Sequence, residues 1–246
     1  MIEVEGLGKR FVLHNQGGAV IEVMAGAHLR VSRGECVALT GASGAGKSTL
    51  MRMIHGNYRA SEGRILVAGV DVARAEPREI IALRRERLGH VSQFLRVVPR
   101  VPAAEVVAEP LLGLGVARPE ALARAEALMA RLNIPRALWS LSPTTFSGGE
   151  QQRVNIARGF VHDFPVMLLD EPSFGLAPMI VEEMFSILRK VNKEERVAML
   201  IVEQNAGVVL ELADNAFVME TGDVVMSGSA AEIRDHDAVR AAYLGY

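Results

Sequence analysis

Two stretches near the N-terminus, Ile2 to Val12 and Val20 to Val31, alternate apolar and polar residues. Period-two alternation sends successive side chains to opposite faces, so the pair predicts antiparallel strands with one face in water. Arg64 to Val67 continues that lobe, with turns predicted at Glu62-Gly63 and Gly69. The pattern then changes kind. Glu35 to Thr40 is a short β-prone run that passes through glycines into a helical pattern, Lys47 to Gly56. Val166 to Leu169 and Val197 to Val202 are unbroken apolar runs, as in strands covered on both faces, with a helix predicted between them from Ile180 to Lys190. From Pro99 to Pro143 Ala, Leu, Glu and Arg dominate, and Pro119 to Leu132 carries apolar residues at helical spacing, which predicts a helical insertion. Asn215 to Gly228 reads as a hairpin around Thr221-Gly222, closed by a helix from Ala230 to Leu244. The expected class is α/β: a core with an N-terminal antiparallel β lobe and a helical subdomain.

Charge and cysteine content narrow the function. Lys plus Arg total 27 against 29 Asp plus Glu, a formal net charge of −2, so there is no basic excess to hold a nucleic-acid backbone and nucleic acid is not an expected partner. Cys36 is the sole cysteine, which excludes an intramolecular disulfide and a Cys-based zinc cluster and fits a reducing, cytoplasmic setting. The N-terminus lacks a basic-then-apolar leader, and no uncharged apolar run approaches the roughly 20 residues that span a bilayer. Any service to a membrane is therefore expected by docking on its inner face.

The chemistry concentrates in two places. Gly41-Ala42-Ser43-Gly44-Ala45-Gly46-Lys47-Ser48, followed by Thr49, satisfies G-x-x-x-x-G-K-[ST] between a predicted strand and a predicted helix. Glycines let the backbone curl so that successive N–H groups face phosphate oxygens, and the helix N-terminus adds positive character. Lys47 is placed to reach the β- and γ-phosphates of ATP and Ser48 to ligate Mg²⁺. The apolar run from Val166 ends in Asp170-Glu171, where ligands of open α/β sheets collect. Asp170 suits Mg²⁺, and Glu171 suits a general base toward a water in line with the γ-phosphate.

Phe146-Ser147-Gly148-Gly149-Glu150-Gln151-Gln152-Arg153 resembles the signature of ATP-binding cassette (ABC) ATPases, and the resemblance extends over essentially the whole chain. Apart from the family, Ser147, Gly148 and Gly149 ahead of a helix, Gln151 to Phe160, make an anion-binding N-terminus that no side chain blocks. The resemblance implies a P-loop NTPase fold, with residues 1–93 and 160–246 as core and β lobe and 94–159 as a helical subdomain carrying the signature. It further implies a head-to-tail dimer with a second ABC ATPase subunit, each ATP lying between one phosphate loop and the opposing signature. Gln93 matches the glutamine that touches Mg²⁺ and the attacking water, and Phe11 the aromatic that stacks on adenine. Two positions depart from the pattern: Gln204 stands where the family usually has a histidine, and Ala177 where it usually has an aspartate. Glutamine donates hydrogen bonds but carries neither charge nor exchangeable acid, so slower hydrolysis is expected.

Within the family, residues 1–169 resemble the ATP-binding protein of the carbon–phosphorus lyase system of phosphonate breakdown, through Gly56-Asn57-Tyr58, Val91 to Arg100 and Leu138-Trp139-Ser140-Leu141. Residues 170–246 resemble the ATPase subunit of branched-chain amino-acid importers, through Asp170 to Pro178, Val202-Glu203-Gln204-Asn205-Ala206 and the ending Ala242-Tyr243-Leu244-Gly245. The expected partners are a membrane permease or a soluble phosphonate-processing complex, with a phosphonate-related role preferred. A nucleotide-gated binding module with weak hydrolysis is the third expectation.

Overall fold

The structure is a computed structural model that describes residues 1–13, 15 and 17–241. The alternating N-terminal stretches form β1 (Ile2–Leu13) and β2 (Ala19–Val31), paired antiparallel from Ile2 opposite Val31 to Leu13 opposite Ala19. β3 (Cys36–Thr40) leads through residues 41–46 into α1 (Lys47–Ile54). β4 (Glu62–Val67) and β5 (Val70–Asp71) complete a sheet of order β2-β1-β4-β5. Glu62-Gly63 therefore lies inside a strand rather than in a turn. Gly63 sits at φ +85°, opposite an irregularity between Glu5 and Gly8 of β1, so its turn-like character is spent on a bulge.

α2 (Pro77–Glu86) precedes β6 (Leu88–Val91); the helical insertion comprises α3 (Ala103–Gly113) and α4 (Arg118–Arg131), and α5 (Gly148–Phe160) returns to the core. β7 (Val166–Asp170), α6 (Pro178–Glu195), β8 (Ala198–Val202), α7 (Ala206–Leu212), the hairpin β9 (Asn215–Glu220) with β10 (Asp223–Ser229), and α8 (Ala230–Asp235) follow. The second sheet has order β10-β9-β3-β8-β7-β6, with β9, β3, β8, β7 and β6 parallel to their neighbours and only the β9–β10 hairpin antiparallel. The predicted closing helix is shorter than expected. His236 is extended, and its Nδ1 accepts from Ala238 N, opening a separate turn at Asp237–Val239; the prediction beyond residue 241 lies outside the described residues.

Both faces of the central strands are buried, which is why they read as unbroken apolar runs. Val37, Leu39, Leu168, Leu200 and Val202 pack toward α1, α2 and the β lobe, whereas Cys36, Ala38, Met167, Leu169, Met199 and Ile201 pack toward α3 to α7. Each fully buried large aliphatic contributes about 1.5–3 kcal/mol. That double cover fixes the strand ends: the carboxyl ends of β3, β7 and β8 open on one edge, with Asp170 paired to Val202 and Leu39 to Val202 in register.

Candidate functional site

The phosphate loop rises from a strand whose five residues are all buried. At Gly41 the chain turns at φ +146°, and any Cβ there would collide with the Met219 carbonyl, so only glycine fits. Ala42, Ser43 and Gly44 face solvent, Ala45 is buried, and Ser48 and Thr49 are half-buried in the first turn of α1. Gly46, left-handed at φ +101°, begins α1 without a side-chain cap and without an acid in the first turn. The loop is anchored from the β9–β10 turn, where Gly222 N donates to Ala45 O at 2.9 Å. Lys47 is only 4% exposed, and its Nζ donates to the carbonyls of Gly41 at 2.7 Å and Ala42 at 2.8 Å. Burial holds its ammonium below the usual lysine value, while the carboxylates of Glu171, Glu203 and Asp170 pull the other way.

Asp170 ends β7 and Glu171 follows at φ +45°, a conformation that costs a non-glycine residue energy and persists only where its surroundings impose it. Glu171 N donates to Val202 O at 2.8 Å, and Gln93 Nε2 donates to Glu171 Oε2 at 3.1 Å. The predicted glutamine and the predicted base are thus in direct contact, although 78 residues separate them in sequence. Burial raises the Asp170 carboxyl above the usual range and the neighbouring Glu171 charge adds to this; Arg52 and Lys47 oppose it. Ser48 hydroxyl, Asp170 carboxylate and Gln93 amide are oxygen donors of the kind a hard divalent cation takes, so the residues present fit Mg²⁺.

One participant was absent from the sequence reading. Glu203, at the end of β8, is 2% exposed, and its carboxylate accepts Ser173 N at 2.7 Å. Its signal was an acid closing an apolar run immediately before Gln204. Gln204 itself is exposed, and Ala177 starts α6 without a side-chain cap. Also unforeseen is an edge-to-face pair, Phe94 with Phe174, with centroids 5.8 Å apart beside Gln93 and Glu171.

The signature turn is satisfied within its own helix. Ser147 caps α5, and its N and Oγ both donate to Glu150 Oε2, at 2.8 and 2.7 Å. Ser147 and Gly148 face solvent and Gly149 is half-buried. Phe11 is half-buried on β1, edge-on to Tyr58 at 5.6 Å between centroids, with Lys9 Nζ 4.6 Å from its ring centre. A cleft of about 830 Å³ that reaches Gln93 is lined from α1, α2, β6, α3 and α5, by Arg52, Arg84, Phe94, Arg96 and Glu109 among others. Its floor holds His55 and His90, ring centroids 4.6 Å apart, whose values burial lowers to about 3 and about 4.

Residues 24–174 match the family model described as ABC transporter. The methionine import ATP-binding protein MetN 2 of Paraburkholderia xenovorans (strain LB400) is 33% identical over 240 residues, covering 96% of this chain and 61% of its own length. MetN 1 of Rhodococcus jostii (strain RHA1) is 36% identical over 233 residues, covering 95% of this chain and 68% of its own. The chain thus spans about three fifths to two thirds of the length of these relatives. The bacterial ABC transporter cassette MJ0796, solved as a dimer and also in a post-hydrolysis state bound to ADP and Pi, superposes with a TM-score of 0.86 at 25% identity, covering 94% of this chain and 99% of that one. The chain belongs to the ABC transporter family, and its α/β fold is that of the family's ATP-hydrolysing cassette. No helix among the described residues is long and apolar enough to cross a membrane.

Proposed function

We propose that this chain is the ATP-hydrolysing motor of a membrane transport system of the importer type, acting as half of a head-to-tail dimer. The observation that carries the reading is the contact of Gln93 with Glu171 at the strand edge that also bears Asp170 and Lys47. On binding, the backbone of Gly41 to Ser48, with Thr49 behind it, cradles the phosphates of ATP, and Lys47 exchanges the Gly41 and Ala42 carbonyls for phosphate oxygens. Ser48, Asp170 and Gln93 would hold Mg²⁺, which supplies charge neutralisation at the β- and γ-phosphates. Glu171 takes a proton from the attacking water, which Gln93 orients. Gln204 donates to the γ-phosphate without adding charge. Phe11 offers an aromatic face to adenine, and Ser147, Gly148 and Gly149 of the partner complete the site.

The division into core (1–93 and 160–246) and helical subdomain (94–159) gives the motor its moving part: the cleft reaching Gln93 is where a permease on the inner membrane face engages both. Importer use is supported by the relatives named for methionine import. The phosphonate-like and branched-chain-like resemblances rest on short motifs, so the motor is proposed without a cargo. A second reading, a nucleotide-gated module with weak hydrolysis, is favoured by Gln204 and Ala177 alone.

Steady-state phosphate release with Mg-ATP, compared with Glu171→Gln, tests the first reading. Turnover in the parent, with the variant inactive and trapped as an ATP-bound dimer, is expected. ATP binding without turnover in either, even with a permease present, would leave the second.

A further inference from the structure

Glu203 is a buried charge with no place in the mechanism above. A carboxylate at 2% exposure is costly unless hydrogen bonds replace its water. Here the Ser173 N–H does so, donating to the carboxylate at 2.7 Å. Donor and acceptor belong to two different segments. Ser173 lies two residues beyond Glu171, in a turn closed by Phe174 N to Glu171 O at 3.1 Å, and Gln204 begins the loop after β8. The backbone of Glu203 is itself tied to the base of the phosphate loop, because its N–H donates to Leu39 O at 3.1 Å. Val202 O, one residue earlier, accepts Glu171 N. The left-handed Glu171 is consequently held from the same strand end on both sides, by the Val202 carbonyl before the turn and by the Glu203 carboxylate within it. Burial raises the Glu203 carboxyl and the nearby Glu171 charge adds to this, while hydrogen bonding from Ser173 opposes it.

We propose that Glu203 is a positioning residue for hydrolysis: its carboxylate locks the 171–174 turn to the start of the Gln204 loop and so keeps Glu171 aimed at Gln93, without touching the nucleotide. The proposal rests on the reading of Glu171 as the base. It makes the residue beside Gln204, and not Gln204, the one that orders this end of β8.

The experiment uses the full chain, with Glu203→Leu, which removes every acceptor, and Glu203→Gln, which is isosteric and keeps one acceptor oxygen. Turnover against ATP concentration and amide hydrogen exchange of residues 171–176 and 203–205 are measured for both and for the parent. Glu203→Leu is expected to lower kcat by about 10- to 100-fold while KM for ATP stays within about twofold, since a misaimed base loses rate and not binding. Exchange in both segments rises in the same variant. Glu203→Gln is expected to recover most of the rate and the protection. A Leu variant as fast as the parent, a rise in KM with kcat intact, or a Gln variant as slow as Leu would each overturn the proposal. If the parent has no turnover, it is the reading of Glu171 that fails, and exchange still decides whether Glu203 links the two segments.

Discussion

Two helices of this chain begin at glycine-containing turns, and they begin differently. α1 starts from the left-handed Gly46 with neither a side-chain cap nor an acid in its first turn, so its leading N–H groups are left for a ligand. α5 starts from Ser147 with a complete capping box, Ser147 and Glu150 satisfying each other. On the proposed reading the first N-terminus serves a nucleotide within its own protomer. The second is closed on itself as a stable helix start, and its serine must give up Glu150 before it can serve a phosphate on a partner. The difference teaches that the same element, a helix N-terminus behind glycines, is made ready or self-sufficient by the residues at its cap and third positions.

The largest effect is expected on the α1 side. Lys47→Ala should lower turnover by about 10²- to 10³-fold, the scale of removing a preorganised donor to developing charge, measured as phosphate release with nucleotide affinity alongside. Gly148→Asp should break the α5 side selectively, leaving ATP binding by the protomer intact while abolishing the ATP-driven dimer of the Glu171→Gln background in size-exclusion chromatography. Loss of ATP binding in that variant would mean that the two N-termini are not separable.

The far end of α1 sharpens the contrast through pH. His55 caps that end and packs at a 40° tilt against His90, and both are held neutral by burial, at about 3 and about 4. A cation would ordinarily be welcome at a helix C-terminus, but desolvation wins here. Because the unfolded chain takes up these protons near the ordinary histidine value of about 6.5 and the folded chain does not, stability falls as pH drops below it, by about 2 kcal/mol for each at pH 5. The raised carboxyls of Asp170 and Glu203 act oppositely, gaining stability as pH falls and they protonate. Thermal melts at pH 7.5 and 5 should therefore differ, and His90→Gln should flatten the dependence. Smallest is Ser147→Ala, expected to cost about 1 kcal/mol through loss of the cap, or roughly 2–4 °C in Tm.

What the sequence made legible was local. The phosphate loop, Asp170 and Glu171 each sit where a strand gives way to a loop, and the apolar runs announced those strands because both faces are covered. Even Gln93 was found, through a resemblance, before its partner was visible. Glu203 was not, because its role depends on β7 and β8 being neighbours, which no spacing states. α2 was missed although Glu76 and Glu79 form its capping box and Pro77 opens it, since only Ile80 and Leu83 are buried and the apolar stripe is thin. The turn expected at Glu62-Gly63 and the continuity of the closing helix through His236 failed for a shared reason: a glycine or a polar residue marks a local irregularity without saying whether the chain turns, bulges or starts a new turn of helix.

Lys47 lies amid three carboxylates, Glu171, Glu203 and Asp170. Three acids against Lys47 and, beside Asp170, Arg52 disfavour a bare polyanion and favour one that arrives partly neutralised. On the proposed reading nucleotide and counter-cation enter as a single passenger, and a chelator should release both together.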